Sequence, residues 1–227
     1  IFSPSAWFSY GGDRYYLLDT PGHTDFFGQT ERCLWALDLA VLVVSIPEGI
    51  RGHTLTLWRL LRQQNIPTIL FLNKADQPGA DPKALLARLK ERLSPDLVAM
   101  DGFDGTFSPA QQEELAGLDE TLCDAFLAGE QDPSFWVSQA GALFGQGNWF
   151  PVLTGSALQG KGVKELLELL GLLSTRYSPE GEPKGLVYQI RYDEKKTPMA
   201  FCKLTGGTLQ TRIPLTLTDT GETVKAG

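Results

Sequence analysis

Leu39 to Ser45, Ile66 to Leu72 and Phe150 to Leu153 read as near-continuous apolar strands, and the segments between them carry a helical period. A strand that is apolar throughout has to be covered on both faces, which a sheet with one wet face does not provide. Strands of this kind alternating with helices predict an α/β chain with a mostly parallel sheet and helices on both sides. The helices expected are Thr24 to Leu37, Gly52 to Gln64, Asp81 to Leu93 and Gly162 to Leu172. In the second, Leu55, Trp58, Leu61 and the neighbouring Leu60 share one side; in the third, Asp81 is the N-cap and Pro82 holds the first helical position.

Other signals place the rest of the chain. Ser5 to Tyr10 and Arg14 to Leu18 are aromatic-rich runs around Gly11-Gly12-Asp13, a hairpin signature, expected antiparallel at one edge of the sheet. Between Met100 and Asn148 periodicity weakens and Gly, Asp, Gln and Pro accumulate, so residues 101–148 read as an insertion holding one amphipathic helix, Glu113 to Ala128. Pro179-Glu180-Gly181-Glu182-Pro183 cannot extend a helix and reads as a linker. Beyond it Gly185 to Tyr192, Met199 to Leu204 and Arg212 to Leu217 are strand-like, too few to close a barrel. The expected division is therefore 1–177, a linker at 178–184, and a second domain over 185–227.

Composition excludes several classes. Of 227 residues, 20 are Lys or Arg and 27 Asp or Glu, a net charge of −7, so the chain has no basic field to hold DNA. Three cysteines far apart, Cys33, Cys123 and Cys202, suggest neither a disulfide framework nor a zinc site and fit a reducing cytoplasm. The longest apolar run is strand-sized, far short of the ~20 residues of a membrane helix. The first residues lack both Met and the basic and apolar regions of a signal peptide, so they read as the middle of a polypeptide.

Two polar strings close apolar runs: Asp19-Thr20-Pro21-Gly22-His23 and Asn73-Lys74-Ala75-Asp76. In open α/β sheets, ligands lie beyond the carboxyl ends of the strands, where both strings fall. A fixed carboxylate at Asp76 can accept from N1–H and N2–H₂ of guanine together, whereas adenine presents an acceptor at N1 and no amine at C2. Asn73 carries an amide for the base edge, and the apolar stem of Lys74 can lie across a ring while its ammonium stays wet. A further string, Gly155 to Gly162, contains G-x-x-x-x-G-K after a strand and before a helix. It places Gly162 where a Mg²⁺-binding Ser or Thr should stand, so phosphate binding through Gly155 to Lys161 is kept only as an alternative.

With these strings and Gly155-Ser156-Ala157-Leu158, the chain resembles the translational GTPases of the elongation factor G family, matching their third, fourth and fifth nucleotide-binding motifs in order. Across Leu17 to Met100 it is most similar to the tetracycline-resistance ribosomal protection proteins. The resemblance implies an incomplete P-loop-GTPase-type G domain followed by the start of a small β-barrel domain, the translation-factor domain II. It implies that Asp19 holds Mg²⁺ through a water, the Gly22 N–H senses the γ-phosphate of GTP, and His23 orients the attacking water. Ser156 and Ala157 would complete the guanine pocket for GTP or GDP, with the Ala157 N–H directed at O6. The implied partner is the ribosome.

No G-x-x-x-x-G-K-[ST] loop precedes Asp19, and the family places that loop and a threonine-bearing switch before the residue matching Ile1. Without that cradle the β- and γ-phosphates lack strong ligands, so no useful hydrolysis and weak nucleotide and Mg²⁺ binding are expected of these residues alone. A sheet missing a strand should also expose apolar surface, favouring self-association or marginal stability. Besides a fragment of a ribosomal protection GTPase, the readings are an elongation factor G or release-factor-type relative and a non-catalytic truncated binding module.

Overall fold

The apolar runs do pair as parallel strands. The computed structural model describes residues 5–20, 33–174, 177–193 and 195–225, and the chain divides into two units, residues 1–174 and 175–227. The first contains β1 (Ser5–Tyr10), β2 (Asp13–Leu18), β3 (Ala40–Ser45), α1 (Gly52–Gln63), β4 (Thr68–Asn73), α2 (Pro82–Arg92), β5 (Leu97–Ala99), α3 (Pro109–Ala116), α4 (Glu120–Ala128), α5 (Pro133–Gln146), β6 (Phe150–Thr154) and α6 (Val163–Leu173). The second contains β7 (Lys184–Tyr192), β8 (Pro198–Gly206), β9 (Pro214–Thr216) and β10 (Thr223–Lys225). Among the described residues no helix is long and apolar enough to cross a membrane.

The main sheet runs β3-β4-β6-β5, all parallel. Because side chains alternate along a strand, β4 supplies both faces. Ile69 and Phe71 join Leu115, Leu122, Trp136, Phe144 and Leu169 on one side, while Leu70 and Leu72 join Trp58, Leu85 and Leu89 on the other. The helices covering the first face are α3 to α6, and those covering the second are α1 and α2. Trp58 meets the Phe150 ring edge-on at 4.7 Å, and its Nε1–H donates to Leu93 O at 3.2 Å, tying α1 to the end of α2. Asp81 caps α2 as expected, accepting from the Ala84 N–H at 3.0 Å with Pro82 in the first turn.

Residues 101–148 depart from expectation. They form three helices, and the one expected over Glu113 to Ala128 is two. Gly117 closes α3, and the Asp119 carboxylate caps α4 by accepting from the Leu122 N–H at 3.1 Å. The third, α5, starts at a cap by Asp132 with Pro133 behind it and ends at Gly147 in the left-handed region. It is apolar around most of its circumference, so the polar contrast that marks a helical period is weak there. Trp136 and Trp149 are fully buried, and their indole N–H groups donate to Glu130 O and Ala140 O. The segment is part of the core of the first unit. The short β5, which extends the sheet beside β6, was also not anticipated.

The β1–β2 hairpin forms with Trp7 opposite Tyr16 and Phe8 stacked on Tyr15 at 5.1 Å. Its turn uses positive φ at Gly11 and Gly12, 60° and 88°. The expected place at the edge of the main sheet is not taken: the hairpin is a two-stranded sheet of its own. Its strands alternate half-buried and exposed positions and cannot supply two apolar faces, so it is attached by side chains. The Tyr10 hydroxyl donates to Glu168 Oε1 on α6 at 2.7 Å. Trp7, Tyr16 and Leu17 stay exposed, with the Arg14 guanidinium 4.7 Å from the Trp7 ring centre. Of the helix expected over Thr24 to Leu37, residues 24–32 lie outside the described residues.

In the second unit β7 pairs antiparallel with β8 and β9 with β10. The segment before β7 is held to this unit: the Tyr177 hydroxyl donates to Gly207 O, and the Gly207 N–H donates to Glu180 O at 3.1 Å.

Burial along the main sheet sets an expectation for stability. Leu70→Ala, on the wholly buried face of β4, should lower unfolding free energy by about 2–5 kcal/mol. Val43→Ala on β3, where Val43 is 57% exposed, should change it by about 0.5 kcal/mol or less. Urea unfolding of both variants checks the pair, and equal losses would contradict the assigned sheet order.

Candidate functional site

The loops that follow β4 and β6 leave the sheet side by side, because the register sets Leu72 opposite Thr154. Asn73, the last residue of β4, joins them. Its Oδ1 accepts from the Lys74 N–H at 2.8 Å and from the Ala157 N–H at 2.9 Å. Around this bracket the Gly155 N–H donates to Leu72 O at 2.9 Å and the Ala75 N–H to Gly155 O at 3.0 Å. With the oxygen of Asn73 used twice, the function it retains for a ligand is the donor nitrogen of its amide.

Asp76 lies on the same loop. The buried Ser156 hydroxyl beside its carboxylate, with the Asp76 N–H and the nearby Lys161 charge, favours the ionised form and holds it below the usual carboxylate range. Asp76 is thus ionised at neutral pH, the form in which a carboxylate can accept two parallel hydrogen bonds. Lys74 adopts a left-handed backbone, φ 68°. Its ammonium pairs with Glu48 Oε1 at 2.8 Å, an ion pair whose members are about half exposed. The pairing holds the Glu48 carboxyl below its ordinary value. Glu48 was missed in the sequence, although Pro47-Glu48-Gly49 follows a parallel strand and therefore falls at the same edge of the sheet.

Two glycines make the second loop possible. A Cβ on Gly155 would lie 2.2 Å from Lys161 O and 2.6 Å from the Phe71 ring, and one on Gly162, whose φ is 76°, would lie 2.7 Å from Thr154 O. The loop closes on itself: Ser156 and Lys161 exchange both backbone hydrogen bonds, at 3.0 and 3.1 Å, and the Gly160 N–H donates to Ala157 O. The Gln159 N–H donates to Ser156 O at 3.1 Å, and the Ala157 N–H, which the resemblance directs at a base oxygen, donates to Asn73. A phosphate cradle needs such N–H groups turned toward the ligand. Committed internally, they do not form one, so the G-x-x-x-x-G-K spelling marks a tight strand-to-helix turn.

The structure therefore brings together Asn73, Lys74, Asp76, Ser156 and Ala157. Asp19 is exposed beyond the end of β2, while Gly22 and His23 lie outside the described residues. Among the described residues no group of three or more His, Cys, Asp or Glu side chains is arranged to hold a metal. A single carboxylate at Asp19 fits Mg²⁺ only in that ion's usual manner, with waters and phosphate oxygens completing the shell.

Comparisons with known proteins place the chain in a family. The model of the elongation factor Tu GTP binding domain matches residues 1–174. The tetracycline resistance protein TetM of Streptomyces lividans is 35% identical over 95% of this chain and 37% of its own length. The oxytetracycline resistance protein of Streptomyces rimosus is 34% identical over 88% and 34%, and TetO of Streptococcus mutans 32% over 86% and 32%. The chain thus spans about a third of the length of these curated relatives. A crystal structure of a Thermus thermophilus protein superposes with a TM-score of 0.83 at 24% identity, covering 99% of this chain and 40% of that one, which supports the fold. With the family model covering three quarters of its length, the chain belongs to the elongation factor Tu GTP-binding domain family, that of the translational GTPases.

Proposed function

We propose that this chain carries the guanine-recognising part of a GTPase that acts on the ribosome in the cytoplasm, of the tetracycline-resistance ribosomal protection type. The observation that carries the reading is the Asn73 bracket: one side-chain oxygen holds the two loops together, with the ionised Asp76 on the first of them and Ser156 on the second. Asp76 accepts from N1–H and N2–H₂ of guanine, the Asn73 amide nitrogen donates to the base edge, and the Lys74 stem, steered by Glu48, covers the ring. The names of the relatives supply the class of the whole protein, and the chain's own residues supply the base selectivity.

Phosphate chemistry is assigned to the other string. Asp19 would hold Mg²⁺ through a water, and the bound ion would neutralise phosphate charge. The Gly22 N–H would meet the γ-phosphate, and His23 would orient the attacking water, in keeping with phosphoryl transfer as positioning and charge balance.

Base selectivity is the direct test. GDP should displace a fluorescent guanine nucleotide from the chain far better than ADP does. Asp76→Ala should weaken GDP by roughly 10- to 100-fold, the loss of hydrogen bonds to a charged group, with little change for ADP. Asp76→Asn, whose amide can donate, should shift preference toward a xanthine base. Equal competition by ADP and GDP in the parent chain would overturn the assignment.

The pH dependence follows from the sign of the Asp76 shift. Its carboxyl is held low when folded, so the ionised form persists as pH falls and is lost only as pH drops through that lowered value. Affinity for guanosine, which carries no phosphate to titrate, should therefore stay level from neutral pH down to about 5, above the ordinary Asp range. A decline beginning above that, with the fold intact by circular dichroism, would contradict the arrangement.

A further inference from the structure

Away from those loops, a cleft of about 370 Å³ lies along α1 beside the C-terminal end of α2, lined by Leu55, Trp58, Arg59, Arg62 and Arg92. Arg59 and Arg62 are three apart on α1 and so share a face; Arg92 is the last residue of α2. The chain carries a net charge of −7, yet among the described residues no carboxylate pairs with any of these three guanidinium groups.

Arg62 forms the floor. Its guanidinium carbon lies 4.6 Å from the centre of the Phe150 ring and 5.7 Å from that of Trp58, and Gly147 lets the chain pass where a Cβ would come within 2.7 Å of Nη2. The side chain is packed in one orientation. Its Nη1 is buried with no hydrogen-bond partner, a costly state for a charged donor. Stacking on aromatic rings and helix C-terminal charge explain why an arginine stands at position 62. The same C-terminal preference accounts for Arg92 at the end of α2, but not for Arg59, which joins the two with no described anion although like charges at short range repel.

We propose that this cleft binds a phosphate group, held by the fixed Arg62 and closed over by the exposed Arg59 and Arg92. Guanidinium forks match phosphate oxygens two bonds at a time, and a partly desolvated, preorganised one gains most from such a partner. The group is a monoester or free phosphate, or a phosphodiester of an RNA strand, and the chemistry of recognition is the same for both.

The test titrates the 227-residue chain, without nucleotide, against inorganic phosphate and, separately, a short single-stranded RNA at matched ionic strength. Binding is followed through the arginine Nε–H resonances. Saturable shifts at Arg62 with inorganic phosphate place the source among small phosphates. Shifts with RNA alone place it in a strand, and either result supports the site. Arg59→Gln with Arg92→Gln, both exposed and so compatible with folding, should weaken the binding ligand about tenfold or more. Arg59→Lys with Arg92→Lys, which keeps the charge but loses the forks, should lie between. No shift at Arg62 with either ligand, or unchanged affinity in the glutamine variant, would overturn the proposal. An acidic peptide binding as well as phosphate with the same variant dependence would also overturn it.

Discussion

Everything in the first unit hangs on β4 being buried on both faces. Its backbone N–H and C=O groups are out of water, so each must find a ladder partner, and β3 on one side and β6 on the other provide them. Its side chains, Ile69 and Phe71 one way and Leu70 and Leu72 the other, anchor the two apolar clusters that seat the helices. A strand under these constraints cannot slip by one residue without exchanging its faces. The end of β4 is thereby located, and with it Asn73.

Function rests on that location. Asn73 and Ala157 are far apart in sequence and meet because β4 and β6 are neighbours in register. The bracket at Asn73 Oδ1 ties the two loops together, and the Ser156 hydroxyl beside Asp76 favours its ionised form. Gly155 and Gly162 are required because Phe71 and Thr154 press against the loop from beneath. The same contacts that close this turn use up its N–H groups, which is why a string spelled like a phosphate loop forms a tight strand-to-helix turn.

Legibility of the chain followed local contrast. The all-apolar strands, the Asp81–Pro82 helix start and the Gly11-Gly12 hairpin turn were readable because each is decided within a few residues. The helices of 101–148 were not, since α5 is apolar nearly all round and Gly117 interrupts what looked like one amphipathic run. The place of the β1–β2 hairpin was not readable either. Nothing local to Tyr10 announces that its hydroxyl will reach Glu168 on α6.

The sequence by itself determined that a mostly parallel, doubly covered sheet would form and which short strings would stand at its carboxyl edge, because apolar period and turn chemistry act over neighbouring residues. The tertiary structure alone decided which of those groups touch. Glu48 reaches Lys74, Ser156 reaches Asp76, and three arginines from two helices gather around one cleft. Strand order and helix packing bring such residues together from distant parts of the chain, and no local pattern encodes a distance of that kind.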